Sequence, residues 1–203
     1  TYRRDEEFVH LESEARGDGL KIEGQRIDVT DESAVRQLIE STLSQHAKLD
    51  ALVNTVGGYA GGVKLWESQL DALDRMLSMN LRSGYVLARA AVPVFIKQGG
   101  GAIVNVAAKA ALDHPAGAAA YAASKAAAVA MLDSLAAELK GSGVRVNSIL
   151  PSTIDTGANR RAMPNANFAK WPKPEEIARV ILFLCSDEAK VIHGAAVPVY
   201  GAD

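Results

Sequence analysis

The chain reads as an α/β protein organised on a doubly wound, mostly parallel sheet. Short apolar runs alternate with longer segments of helical period, strand then helix, which is how a parallel sheet covered on both faces is written. The runs LDALVNTV (49–56), GAIVNVA (101–107) and VRVNSIL (144–150) are near-continuously apolar, as strands buried on both faces are. With 203 residues, 48% of them hydrophobic, the chain suffices for one well-buried domain and is short for two.

The elements follow in order. TYRR at the start reads as the end of a strand, and LKIEGQRIDV (20–29) as the next strand. Asp31 then caps a helix whose apolar positions Val35, Leu38, Ile39 and Leu43 keep the helical period. Strand 49–56 ends in the glycine cluster GGYAGG, and a long helical region runs from about Glu67 to Gln98. Strand 101–107 precedes an Ala-rich helix over about 117–140; strand 144–150 is halted by Pro151. Residues 152–173 hold Gly157, Pro164, Pro172 and many polar groups, so a mobile loop or lid is expected. PEEIARVILFLCS (174–186) is a helix with Pro174 in its first turn, and AAVPVYG (195–201) a last short strand.

Composition narrows the function. A net charge of -2 gives no electrostatic footprint for nucleic acid or an anionic membrane. The single cysteine, Cys185, excludes an intrachain disulfide and a multi-thiolate metal site. His10, His46, His114 and His193 lack metal-ligand spacing, so no metal is expected. No apolar run approaches a membrane span, and TYRRDEEF is neither a signal nor a transit peptide. A soluble cytoplasmic protein acting on a small molecule is the expectation.

Chemistry concentrates in YAASK. Tyr121 and Lys125, four apart on a helix, lie on one face roughly 5–6 Å apart at Cβ. Bringing a phenol from a pKa of about 10 to about 7 takes roughly 4 kcal/mol. One cation at about 4 Å, with an effective dielectric near 20, supplies about that much. Such a pair can move a proton. By itself the spacing also fits a solvated stripe on an Ala-rich helix.

The surroundings decide. Asp28 in IDVTD, NTVGG (54–58), Asn80 in a helix, IVNVAA (103–108), YAASK (121–125) and RVNSILPSTIDT (145–156), in that order, resemble the short-chain dehydrogenase/reductase family over almost the whole chain. The resemblance implies a Rossmann-type sheet, NAD or NADP as cofactor, and an oxidoreductase. It makes Tyr121 the proton donor or acceptor. Lys125 would lower the pKa of Tyr121 and hold the nicotinamide ribose. Asn80 would bind, through its backbone, a water in a proton relay. Asp28 and Val29 would sit at the adenine, Asn54 and Gly57 along the cofactor, and Pro151, Ile154 and Thr156 at its carboxamide and pyrophosphate. It also implies a homodimer or homotetramer through the two long helices.

Two departures stand out. The family opens with a strand, a glycine-rich turn and a helix that meets the pyrophosphate. That start, about 30 residues or more, is not in the sequence, so a single domain over 1–203 that is N-terminally incomplete is expected. Arg3 and Arg4 fall where the family reads the adenosine ribose, and arginine there accommodates a 2′-phosphate, which favours NADP over NAD.

The second departure is chemical: the position of the family's serine holds Ala108, next to Ala107. Losing one donor to a developing oxyanion costs about 2.7–4 kcal/mol. A ketone reductase bears that in full, whereas a conjugated acceptor bears little of it. AAKAALDHPAGAAAYAASK, GGYAGG and LPSTIDTGANRRAMPNANFAKW resemble the dihydropteridine reductase branch, which implies a quinonoid dihydropterin-like substrate with Tyr59, and Trp171 in the lid, beside it. The alternatives are a carbonyl reductase or alcohol dehydrogenase working without the serine, and a non-catalytic dinucleotide-binding relative.

Overall fold

The computed structural model describes residues 1–202. Four strands, β1 (Ala51–Asn54), β2 (Gly101–Val106), β3 (Val144–Pro151) and β4 (Ala195–Val199), form a parallel sheet in the order β1-β2-β3-β4. Parallel neighbours need crossovers, and helices supply them. Helix α1 (Asp5–Gly17) and α2 (Glu32–His46) precede the sheet. Between β1 and β2 run α3 (Leu70–Leu77), a π turn (Ser78–Arg82) and α4 (Ser83–Gln98). Between β2 and β3 lie α5 (Ala110–Asp113) and α6 (Ala119–Glu138); α7 (Gly157–Ala162) and α8 (Pro174–Cys185) lead to β4.

Each sheet face has its own core. Ile103 and Val146 face Phe95 of α4 and Leu132 of α6, whereas Val104 and Ile149 face Ile177 and Leu184 of α8. That two-sided burial explains why apolar residues fall on both faces of β2 and β3. β1 is different. It lies at the sheet edge, and Val53, on the face opposite Leu52, stays 39% exposed, so this run is not buried on both sides as expected.

Local signals hold where backbone chemistry fixes them. Asp31 accepts from the Ser33 and Ala34 amides at the start of α2. Pro174 opens α8, where its missing N–H costs nothing. On β3, Arg145 spans to the end of α8 and donates to the carbonyls of Leu184 (2.6 Å) and Ser186 (2.9 Å), groups a helix end leaves without partners.

Residues 20–29 do not form the expected strand. One parallel bridge, Tyr2 to Arg26, is all that pairs there. Ile27 and Val29 instead pack by their side chains on Val35 of α2 and Val86 and Leu87 of α4, a burial that needs no ladder. The intervening α1 buries no residue; Phe8 stacks on Tyr2 at 4.6 Å and fills the space above Gly24. Residues 152–173 are more ordered than a loop. Thr156 caps α7, Arg160 pairs with Asp155 (2.5 and 2.8 Å) and lies over Phe168, and the Asp155 amide donates to Pro172. Among the described residues no helix is long and apolar enough to cross a membrane, and no His, Cys, Asp and Glu side chains gather as a metal site.

Candidate active site

The C-terminal end of β2 and the loop after β1 meet the first two turns of α6, on the side of an open α/β sheet where ligands bind. Helix α6 carries Tyr121, Ser124 and Lys125. Lys125 is only 6% exposed and its Nζ donates to the carbonyl of Val106, the last residue of β2, at 2.9 Å. Burial lowers its pKa from the ordinary 10.5 to about 8. Tyr121 is half-buried, and burial first, then the neighbouring Tyr59 phenol, push its pKa up. The acidified phenol expected from the spacing is therefore not found. The Lys125 ammonium is directed to a backbone carbonyl, and removal from water opposes ionisation of both groups.

Asn80, 2% exposed in the π turn, uses its whole side-chain amide. Its Oδ1 accepts from the Gly58 amide (2.9 Å); its Nδ2 donates to the Gly58 carbonyl (3.0 Å) and to Ser124 Oγ (2.9 Å). A π turn inside an α-helix is frequent at functional sites. Here it sets this amide between the loop after β1 and helix α6.

A Cβ at Gly57 would stand 2.8 Å from Asn80 Oδ1 and 3.0 Å from Lys125 Nζ. A larger residue here would require the Asn80 amide or the Lys125 ammonium to shift.

The expected cofactor residues fall into three groups. Arg3, Arg4, Asp28, Val29 and Gly57 line one open cleft of about 1280 Å³, with Val56 between them. In it, Arg4 pairs with Glu7 at 2.8 Å, while Arg3 stands beside Asp28. Hydrogen bonds from Thr30, then the Arg3 charge, hold the Asp28 carboxyl below its usual range. Asn54 does not line the cleft. It is buried, donates to Asn105 Oδ1 (2.9 Å) and accepts from the Val56 amide (3.2 Å), bracing the end of β1 against β2. Pro151, Ile154 and Thr156 continue from β3 into α7, and the Pro151 carbonyl accepts from the Lys109 amide. Gly57 joins the groups, since it borders both the cleft and Lys125. The cleft is long enough to hold an extended ligand, with arginines and carboxylates interleaved at one end and Gly57 at the other.

On the substrate side, Ala107 and Ala108 are buried and offer no hydroxyl. Tyr59 meets Tyr121 edge-on, centroids 4.9 Å apart, and stays 68% exposed. Trp171 is 9% exposed and packs on Phe168 at 5.0 Å, so its ring belongs to the interior of the lid. The pattern of the sequence missed Ser124. Its one signal is a hydroxyl three residues after Tyr121 in a run of alanines.

Comparison with known proteins gives the family. Residues 1–201 match the Enoyl-(Acyl carrier protein) reductase family. The chain is similar to 3-oxoacyl-acyl-carrier-protein reductase of Thermotoga maritima, 32% identical over 97% of this chain and 82% of that protein. It is also similar to meso-2,3-butanediol dehydrogenase of Serratia marcescens, 33% identical over 86% of this chain and 72% of that one. A crystal structure of a short-chain dehydrogenase/reductase from Burkholderia xenovorans superposes with a TM-score of 0.88 at 28% identity, covering 98% of this chain and 81% of that one. Parallel sheet, tyrosine–lysine helix and relatives together place the chain in the short-chain dehydrogenase/reductase family of NAD(P)-dependent oxidoreductases.

Proposed function

We propose that this oxidoreductase reduces a flat, conjugated C=N or quinonoid substrate, dihydropterin-like in shape, with Tyr121 as proton donor. One observation carries the proposal: the helix holding Tyr121 and Lys125 is intact, while Ala107 and Ala108 stand where an alkoxide would need a hydroxyl. A bound nicotinamide supplies the hydride, and the protein's residues do the rest. Tyr121 holds its proton firmly, because burial raises its pKa, and gives it to the substrate atom that gains the electron pair. Lys125, with a pKa of about 8, exchanges protons near neutral pH one helical turn away. The exposed face of Tyr59 offers a planar substrate a stacking surface.

Arg3 and Arg4 in the cleft, with Arg3 beside Asp28, favour NADP over NAD. Assembly as a homodimer or homotetramer through α4 and α6 goes with the same proposal; Tyr85 and Ile96 of α4 stand 54% and 51% exposed, and light scattering reads the outcome directly.

A second possibility, a carbonyl reductase or alcohol dehydrogenase, is favoured by the relatives named above, which are a 3-oxoacyl reductase and a diol dehydrogenase. Steady-state turnover on quinonoid dihydropterin, simple quinones, ketones and 3-oxoacyl thioesters, each with NADPH and NADH, separates the two. Quinonoid substrates turning over fastest, with NADPH, is the expected result. A ketone or thioester turned over fastest would overturn the conjugated-substrate proposal, and much tighter NADH binding would overturn the cofactor preference.

A further inference from the structure

Two phenols stand edge-on at the site, yet they belong to different elements: Tyr59 to the loop after β1, Tyr121 to α6. The loop is fixed on both flanks. Gly58, next to Tyr59, exchanges two hydrogen bonds with the Asn80 side chain, and the Gly62 amide donates to the Gly117 carbonyl at 2.9 Å, just before α6 begins. Asn80 has one more N–H, and it goes to Ser124 Oγ at 2.9 Å. Ser124 in turn donates to the backbone carbonyl of Tyr121 at 2.7 Å. Its side chain is fully buried, so its partners are protein groups and not solvent.

From this chain of contacts we infer that Ser124 is a positioning residue: through Asn80 it locks the turn carrying Tyr121 to the loop carrying Tyr59, so that the two phenols hold one fixed geometry. The inference rests on the proposed role of Tyr121 as proton donor. A hydroxyl that served packing alone would need only its bond to the preceding turn, which serines in helices commonly make. Accepting from a buried amide 44 residues away is a different matter. Without that acceptor Asn80 keeps its bonds to Gly58 but loses its tie to α6. The loop can then move relative to Tyr121, with Tyr59 and water sharing the space. Tyr59 meets Tyr121 edge-on and Lys125 lies one turn along the same helix, and neither is altered by changing Ser124.

The test uses Ser124→Ala and Ser124→Cys, the second keeping the volume should the first fold poorly. Two readouts are taken on the intact protein. The Tyr121 phenol is titrated by ultraviolet difference absorption against Tyr121→Phe, which needs neither substrate nor cofactor. Turnover is split into kcat and KM per folded protein. In both variants the Tyr121 midpoint should fall towards the ordinary tyrosine range, because burial and Tyr59 raise it in the locked geometry. A small displacement of a reacting group costs up to about 100-fold, so kcat should drop by about 10–100-fold with the cofactor KM within a few-fold. Variants that melt earlier but keep the wild-type midpoint and kcat would show a purely structural serine and overturn the inference. Should the wild type pass no hydride to any acceptor, the proposed function fails, while the titration still decides whether the lock exists.

Discussion

Replacing Tyr121 with phenylalanine lowers kcat by about 10²–10⁴-fold, the usual worth of a positioned general acid. The substitution removes one oxygen and keeps the ring that Tyr59 meets edge-on, so the packing at the mouth of the site persists. Cofactor affinity, measured by fluorescence titration, separates loss of proton transfer from loss of binding. The wild-type phenol is held neutral by burial, so the donor stays loaded across the neutral range, and activity is lost as pH climbs through its raised pKa. A phenylalanine variant with wild-type kcat would remove Tyr121 from the chemistry and move the protein to the non-catalytic relatives.

Ala108→Ser is expected to act in the opposite direction. It restores one hydroxyl at the end of β2, where the chain turns into α5 through the bond from the Ala111 amide to the Ala108 carbonyl. One donor to a developing oxyanion is worth about 10²–10³ in rate, so turnover of a simple ketone should rise by about that factor. A conjugated acceptor spreads the arriving charge and should gain far less. Steady-state kinetics on both substrate types with one cofactor gives the contrast. Equal gains on the two, or a wild type already fast on ketones, would mean that the alanine does not select the substrate.

Much of this architecture was legible because the relevant physics is local. β2 and β3 read as strands because apolar residues fall on both of their covered faces, and Asp31 and Pro174 announce helix starts through their own backbone chemistry. Tyr121 and Lys125 share α6, and Asn80 is tied to that helix through Ser124. What failed was anything that depended on a distant partner. The apolar residues of 20–29 suit a strand, but Ile27 finds its contacts on α2 and α4 instead. The acidity of Tyr121 turned on where the Lys125 ammonium points, and that is set by the Val106 carbonyl at the far end of a strand. Ser124 looked like one more small residue in an Ala-rich helix; its partner lies on another helix. Spacing along a helix gives which groups share a face, not which acceptor each one chooses.

Burying Lys125 also governs how the fold tolerates alkali. Its pKa of about 8 lies below the ordinary 10.5, so between these values the unfolded chain holds a proton that the native chain has released. The lysine's contribution to stability therefore rises with pH across that window, by about 3 kcal/mol at most. Cys185 and Tyr121 act the other way: burial raises both, and their contributions decline once pH passes their ordinary values of 9.0 and 10.0. Melting curves of the wild type and Lys125→Met isolate the lysine. The variant should melt higher at neutral pH and lose that advantage towards pH 10, whereas a constant difference would contradict the assignment. Burying a cation beside the end of β2 therefore costs the fold stability at neutrality, and that cost fades as the lysine's proton is lost in mild alkali.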